Sequence, residues 1–180
     1  MNSPAKQYLV ISALGHDRPG IVKNLTQPIS ESSVNILDSR MTILGGEFAV
    51  LMMVEGSWDT IAKLEAQLPA LGQKLELTIV ARRTDSQQHQ NNTLPYTVNV
   101  VALDHPGIVN QLADFFTGRN INIQDLFTDS YNAAHTGTPM FTATLVINIP
   151  GDTSIARLRE EFFDFCDGLN LDGILEPNKG

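Results

Sequence analysis

The period of the apolar positions changes repeatedly along the chain, and each change predicts an element. Residues 8–14 (YLVISAL) form a short apolar, partly β-branched run that predicts a strand. The turn residues Asp17, Arg18, Pro19 and Gly20 follow, with Pro19 suited to the first turn of the next helix. In that helix Ile21, Val22, Leu25 and Ile29 recur at helical spacing and are expected to face inward, with a bend or early stop at Pro28. Two strands are predicted next, over 35–44 and 47–55, joined by the tight hairpin signal Gly45-Gly46. Ser57 is placed to cap a second helix with Trp58, Ile61, Leu64 and Leu68 on one face. Pro69 is expected to end its regular part, before a last strand over 75–82.

The pattern then begins again. Asp17-Arg18-Pro19-Gly20-Ile21-Val22 recurs as Asp104-His105-Pro106-Gly107-Ile108-Val109, 87 positions on (104 − 17). The same offset maps Leu25 onto Leu112, Asn35-Ile36 onto Asn122-Ile123, and Asp38 onto Asp125. In the second copy the expected elements are a strand over 96–103, a helix over 107–119 and a hairpin of 121–131 with 140–149. A helix over 153–168 and a short strand near 171–175 complete it. Ile108, Leu112, Phe115 and Phe116 on one helix, and Leu158, Phe162 and Phe165 on the other, form its inward faces.

Strand, helix, strand, strand, helix, strand is the split-βαβ order. The fold class is therefore α+β, with two ferredoxin-like βαββαβ modules whose antiparallel sheets carry helices on one face. The expected boundaries are 6–84 and 95–176. A polar stretch, 85–94, is expected to be a solvated linker.

Charge narrows the partners. Twelve Lys+Arg face twenty Asp+Glu, a formal net charge of −8, and the densest basic spot is Arg82-Arg83 followed by Asp85. Phosphate neutralisation needs clustered cations, so no direct nucleic-acid binding is expected. No apolar run reaches the roughly 20 residues of a membrane span, and no hydrophobic signal core opens the chain. A cytoplasmic protein with no membrane partner is the expectation. One cysteine, Cys166, permits no intramolecular disulfide, and its place on an apolar helix side suggests a buried, inert thiol. The four histidines, His16, His89, His105 and His135, are scattered, and neither a metal nor a cofactor is expected. Glu160, Glu161 and Asp164 suggest a solvated helix face.

The two Asp-x-Pro-Gly-Ile turns are the candidate chemistry. Each ends a strand and opens a helix whose first amides, with their partial positive charge, suit a small carboxylate. Asp17 or Asp104 could receive an ammonium group, and Asn35 or Asn122 offers a donor and an acceptor. That set is complementary to a free α-amino acid. The structural alternative is that Asp caps the helix, Pro-Gly makes the turn and Asn starts a strand. Repetition alone does not separate the two.

Asp-Arg-Pro-Gly-Ile with Asn-Ile sixteen positions after its proline (35 − 19), repeated with the same spacing (122 − 106), resembles the ACT domain, a regulatory βαββαβ module. The resemblance implies an amino acid held between two modules by the first loop, the helix amides and the Asn. Carried over, it implies ligand-binding roles for Asp17, Arg18, Gly20, Ile21 and Asn35, and for Asp104, His105, Gly107, Ile108 and Asn122. Further stretches, 7–15, 35–40, Gly56-Ser57-Trp58 and Arg82-Arg83-Thr84, are similar to stand-alone double-ACT repressors of glycine cleavage genes. For those the implied partners are glycine and a transcriptional activator protein rather than DNA, and no catalysis. A homodimer could supply the second module. The rival expectations are a small ferredoxin-like metabolic enzyme, for which the sequence displays no compact acid, base or nucleophile set, and a ligand-independent adaptor.

Overall fold

A computed structural model describes residues 6–85 and 92–178. They fall into two compact units, described separately, which divide between Gln88 and His89. The stretch expected as a linker therefore lies largely outside the described residues (86–91).

Unit 1 runs β1 (Gln7–His16), α1 (Ile21–Glu31), β2 (Asn35–Leu44), β3 (Glu47–Gly56), α2 (Trp58–Leu75) and β4 (Thr78–Thr84). Its antiparallel sheet has the order β2-β3-β1-β4. Unit 2 repeats this with β5 (Thr93–Leu103), α3 (Ile108–Thr117), β6 (Asn122–Asn132), β7 (Pro139–Pro150), α4 (Ile155–Leu169) and β8 (Asp172–Pro177), ordered β6-β7-β5-β8. This is the expected tandem α+β architecture. The repeat extends to its irregularities: β2 shifts register between Ile36 and Asp38, and β6 between Ile123 and Asp125, the same place in both copies. A bulge kept at one position adds local twist to the edge strand.

One face of each sheet is buried by the two helices of its unit. In unit 1 Leu9, Ile11 and Ala13 of β1 and Phe48, Val50, Met52 and Val54 of β3 meet Leu25 and Ile29 of α1 and Ile61, Leu64 and Leu68 of α2. Unit 2 fills the same space with more aromatic volume. Phe115, Phe116 and Phe162 cluster there, the first two edge-on with centroids 5.1 Å apart.

Several local expectations are corrected. Neither interior proline stops its helix: α1 continues one turn past Pro28 to Glu31, and α2 passes Pro69 to reach Leu75. Pro28 costs α1 the one bond that an N–H there would make to the Asn24 carbonyl, and the buried row Ile21, Leu25 and Ile29 spans the position. Pro69 is inside α2, whose buried row Ile61, Leu64, Leu68, Leu71 and Leu75 continues on both sides of it and outweighs one missing hydrogen bond. Leu75 consequently belongs to a helix, and β4 starts only at Thr78. Val22 and Trp58 are exposed rather than inward-facing. Trp58 instead lies under the Arg83 guanidinium, 5.9 Å from its ring centroid. Pro19 stands outside α1, because Gly20 is the N-cap. Ser57 caps α2 as expected, accepting from the Thr60 amide at 3.3 Å.

Candidate functional site

Both turns are built in one way. The Asp17 amide donates to the Gly46 carbonyl at 3.0 Å, and the Asp104 amide donates to the Pro139 carbonyl at 3.0 Å. Each turn is thereby fastened to the hairpin end of its own sheet. Gly20 and Gly107 then adopt left-handed φ values of 85° and 98° and serve as N-caps of α1 and α3. This conformation lets the chain leave the strand and enter a helix within four residues, and it favours glycine.

Neither helix end is capped by a side chain. The structural alternative in which Asp17 or Asp104 caps its helix is thus not what forms. The Ile21 amide donates to the Arg18 carbonyl at 3.2 Å, and the first regular bonds are Asn24 to Gly20 at 2.9 Å and Gln111 to Gly107 at 3.0 Å. Among the described residues, the amides of Val22 and Lys23, and those of Val109 and Asn110, meet no backbone acceptor. Those N–H groups carry the positive end of the helix dipole.

The site residues named from sequence do not all come together. Asp17 is half-buried beside its turn, while Asp104, His105 and Gly107 are exposed at theirs. Ile21 and Ile108 are core side chains, so only their backbone can face a ligand. Arg18 is turned away: its guanidinium donates to the Leu75 carbonyl at 2.7 Å and to the Glu76 carboxylate at 3.0 Å, at the end of α2. His105 is the repeat's counterpart of Arg18, and its Nδ1 lies 3.1 Å from the Pro106 carbonyl.

Asn35 and Asn122 are farther still. Asn35 is paired with Glu55 at the start of β2, whereas the 17–20 turn is fastened to Gly46 at the other end of the same hairpin. Eight residues of β3 separate Glu47 from Glu55, about 27 Å at strand rise. Asn122, paired with Asn148, stands in the same relation to its turn. Within one unit, then, turn and asparagine occupy opposite ends of the sheet. A ligand touching both would need the asparagine of another module.

Two features escaped the sequence. Glu161, expected in a solvated face, accepts from Arg119 and from Arg157, each at 2.8 Å, and these bonds hold its carboxyl below the usual range. His16 sits 3.6 Å from Glu47 beside the first turn. Cys166 is buried, and desolvation pushes its thiol up to about 11. Among the described residues no group of three His, Cys, Asp or Glu is placed to hold a metal, and no helix is long and apolar enough to cross a membrane.

Comparison with known proteins matches the ACT domain family to residues 7–82. Over 175 residues the chain is 32% identical to the glycine cleavage system transcriptional repressor of Escherichia coli (strain K12), covering 97% of this chain and 92% of that one. A solved structure described as a glycine cleavage system transcriptional repressor superposes with a TM-score of 0.75 and 31% identity. It covers 97% of this chain and 99% of its own. A protein of Galdieria sulphuraria superposes with a TM-score of 0.77 and 26% identity, again over 97% and 99%.

Proposed function

Since this chain belongs to the ACT-domain family, and serves regulation rather than catalysis, we propose that it is a glycine-responsive repressor of glycine cleavage genes. It acts by holding a transcriptional activator protein, not by touching DNA. The observation that carries this reading is the pair of uncapped helix ends, each opened by a left-handed glycine beside an aspartate.

The chemistry is that of a zwitterion. The free amides of α1 or α3 receive a carboxylate, and Asp17 or Asp104 receives the ammonium group. Asn35 or Asn122, reaching in from a second module that a partner chain can supply, closes the pocket over the ligand. Arg18 belongs to the scaffold rather than to the ligand, because its Nη1 and Nη2 donate to Glu76 and to the Leu75 carbonyl at the end of α2.

The formal charge of −8 supports the choice of partner. A chain with twenty carboxylates and no basic stripe is repelled by a phosphate backbone. Glycine can release the activator only if it binds the activator-free form more tightly, and activator must then weaken glycine by the same factor. Titration calorimetry with glycine and a panel of other amino acids tests the sensor directly, and repeating the glycine titration with activator present tests the linkage. Binding by none of the panel would remove the sensor reading. Glycine binding unchanged by saturating activator would remove the release mechanism.

A further inference from the structure

The two sheets differ on the face that their helices leave open. In unit 2 this face alternates as a solvated antiparallel sheet should: β7 presents Thr142, Thr144, Val146 and Asn148 between the buried Phe141, Ala143, Leu145, Ile147 and Ile149. In unit 1 the corresponding strand is apolar on both faces, seven residues running from 48 to 54 (FAVLMMV). Its open side carries Ala49, Leu51 and Met53. Tyr8, Val10, Ser12 and Leu14 of β1 and Val80 of β4 stand beside them in register. Leu14, Leu51 and Val80 are each more than half exposed. A strand apolar on both faces is the pattern of a sheet covered on both faces.

Charge says what covers it. Lys6 pairs with Glu55 and Arg40 with Asp38, while Arg82 and Glu47 are the other charges on this face. Three cations and three carboxylates leave it neutral in a chain of formal charge −8. The open face of unit 2 carries Asp129, Asp172 and Glu176 and no cation among its strand positions. Two copies meeting there would bring like charges together, whereas two unit 1 faces meet without that repulsion. The dimensions also fit. Four strands spaced about 4.8 Å apart and seven residues long cover about 450 Å² per copy, so two faces bury about 900 Å². That is near the lower bound of specific interfaces, about 1,000 Å², and suits an exchanging contact.

We propose that the open face of the unit 1 sheet is the seat of a second copy of this chain, the two sheets packed face to face about a two-fold axis. The contact is isologous, so Ser12, between Leu51 and Val80 at the middle of the patch, lies near its counterpart. It stands apart from the amino-acid reading, which the calorimetry above can remove without touching it.

Sedimentation velocity on the full chain from micromolar to millimolar concentration tests it. The expected result is a dimer fraction that rises with concentration, is lost in Leu51→Glu and Val80→Glu, and is unchanged in Phe127→Glu on the open face of unit 2. A wild-type chain that stays monomeric throughout overturns the proposal, as does a dimer that survives Leu51→Glu or is abolished by Phe127→Glu. Should the glutamate variants lose their native circular dichroism, Ser12→Cys decides with a bismaleimide cross-linker about 10 Å long, the spacing of stacked sheets: a cross-linked dimer supports the contact, and its failure to form overturns it. Cys166, buried in the core of unit 2, does not compete in that assay.

Discussion

The Arg18 guanidinium donates to the Leu75 carbonyl across 2.7 Å, joining the first turn of unit 1 to the end of α2. Leu75 is the last residue of that helix, where carbonyls lack intrahelical partners and the dipole is negative, so a cation is doubly suited there. The neighbouring ion pair to Glu76 is largely exposed on the glutamate side and adds little. Replacing Arg18 by Ala should therefore lower stability by about 1–2 kcal/mol through the lost carbonyl bond. Glycine affinity should stay within a factor of about two, well below the tenfold that 1.4 kcal/mol represents. Thermal unfolding and calorimetry on the same variant read the two effects. A large loss of affinity with intact stability would return Arg18 to the binding site.

Gly20 and Gly107 hold φ values of 85° and 98°, and a Cβ at either would meet almost nothing: only Asn24 Nδ2 at 3.9 Å for the first, and open space for the second. An alanine at either position is strained by backbone conformation rather than by contact. Each substitution should cost about 1–2 kcal/mol. Asn at the same positions, tolerant of the left-handed region, should recover part of the loss. Denaturant unfolding of Gly107→Ala and Gly107→Asn gives the comparison, and equal destabilisation by both would show that something other than φ requires glycine.

The repeat, the element order and the buried rows could be read from the chain because they rest on periodicity and paired glycines, which act locally. The Gly45-Gly46 hairpin and the Ser57 cap fall where their turn chemistry puts them. Prolines misled, because Pro28 and Pro69 act against a local bond whereas α1 and α2 are held by burial over their whole length. Val22 and Trp58 misled for the opposite reason: helical spacing says which side a residue is on, not how far the opposing sheet extends to cover it. The separation of Asn35 from its turn follows from topology. A helix antiparallel to β1 carries the chain back to the start of the sheet, so sixteen residues after Pro19 the chain is at the far end. The spacing was visible in sequence, but the direction of travel was not.

Gly173 of β8 faces the core of unit 2, where a Cβ would stand 2.5 Å from the Cys166 Sγ and 2.9 Å from the Phe162 ring. Both neighbours are buried, and neither can swing away into solvent. Gly173→Ala should cost about 1–3 kcal/mol by overpacking. The double variant Gly173→Ala with Cys166→Ala should regain part of this, read as coupling in a double-mutant cycle. Strict additivity would mean that the ring, not the sulfur, sets the clash.

Cys166 also fixes an alkaline limit. Its folded thiol is pushed up to about 11 by burial, above the ordinary thiol range. The folded state therefore keeps a proton that the unfolded chain releases, and stability falls as pH rises from the ordinary thiol value toward 11. Cys166→Ala should flatten that fall in the melting temperature. At neutral pH the native thiol should resist alkylation until the chain is unfolded. Rapid labelling of folded protein would place the thiol at the surface.

Asn35 and Asn122 are the sharpest test of the ligand site, since each lies at the opposite end of the sheet from the turn of its own unit and yet is expected to bind with another. If each completes a pocket formed with a second module, replacing either by Ala should weaken glycine by about 1–3 kcal/mol while leaving stability unchanged, both side chains being exposed in the isolated units. Pairing decides between this and a merely local role. Mixing a chain carrying Asn35→Ala and Asn122→Ala with one carrying Asp17→Ala and Asp104→Ala should restore binding in part of the mixed oligomers if turn and asparagine come from different chains. Calorimetry of the mixture against each component reads the outcome, and the absence of any restoration would assign both groups to modules of a single chain.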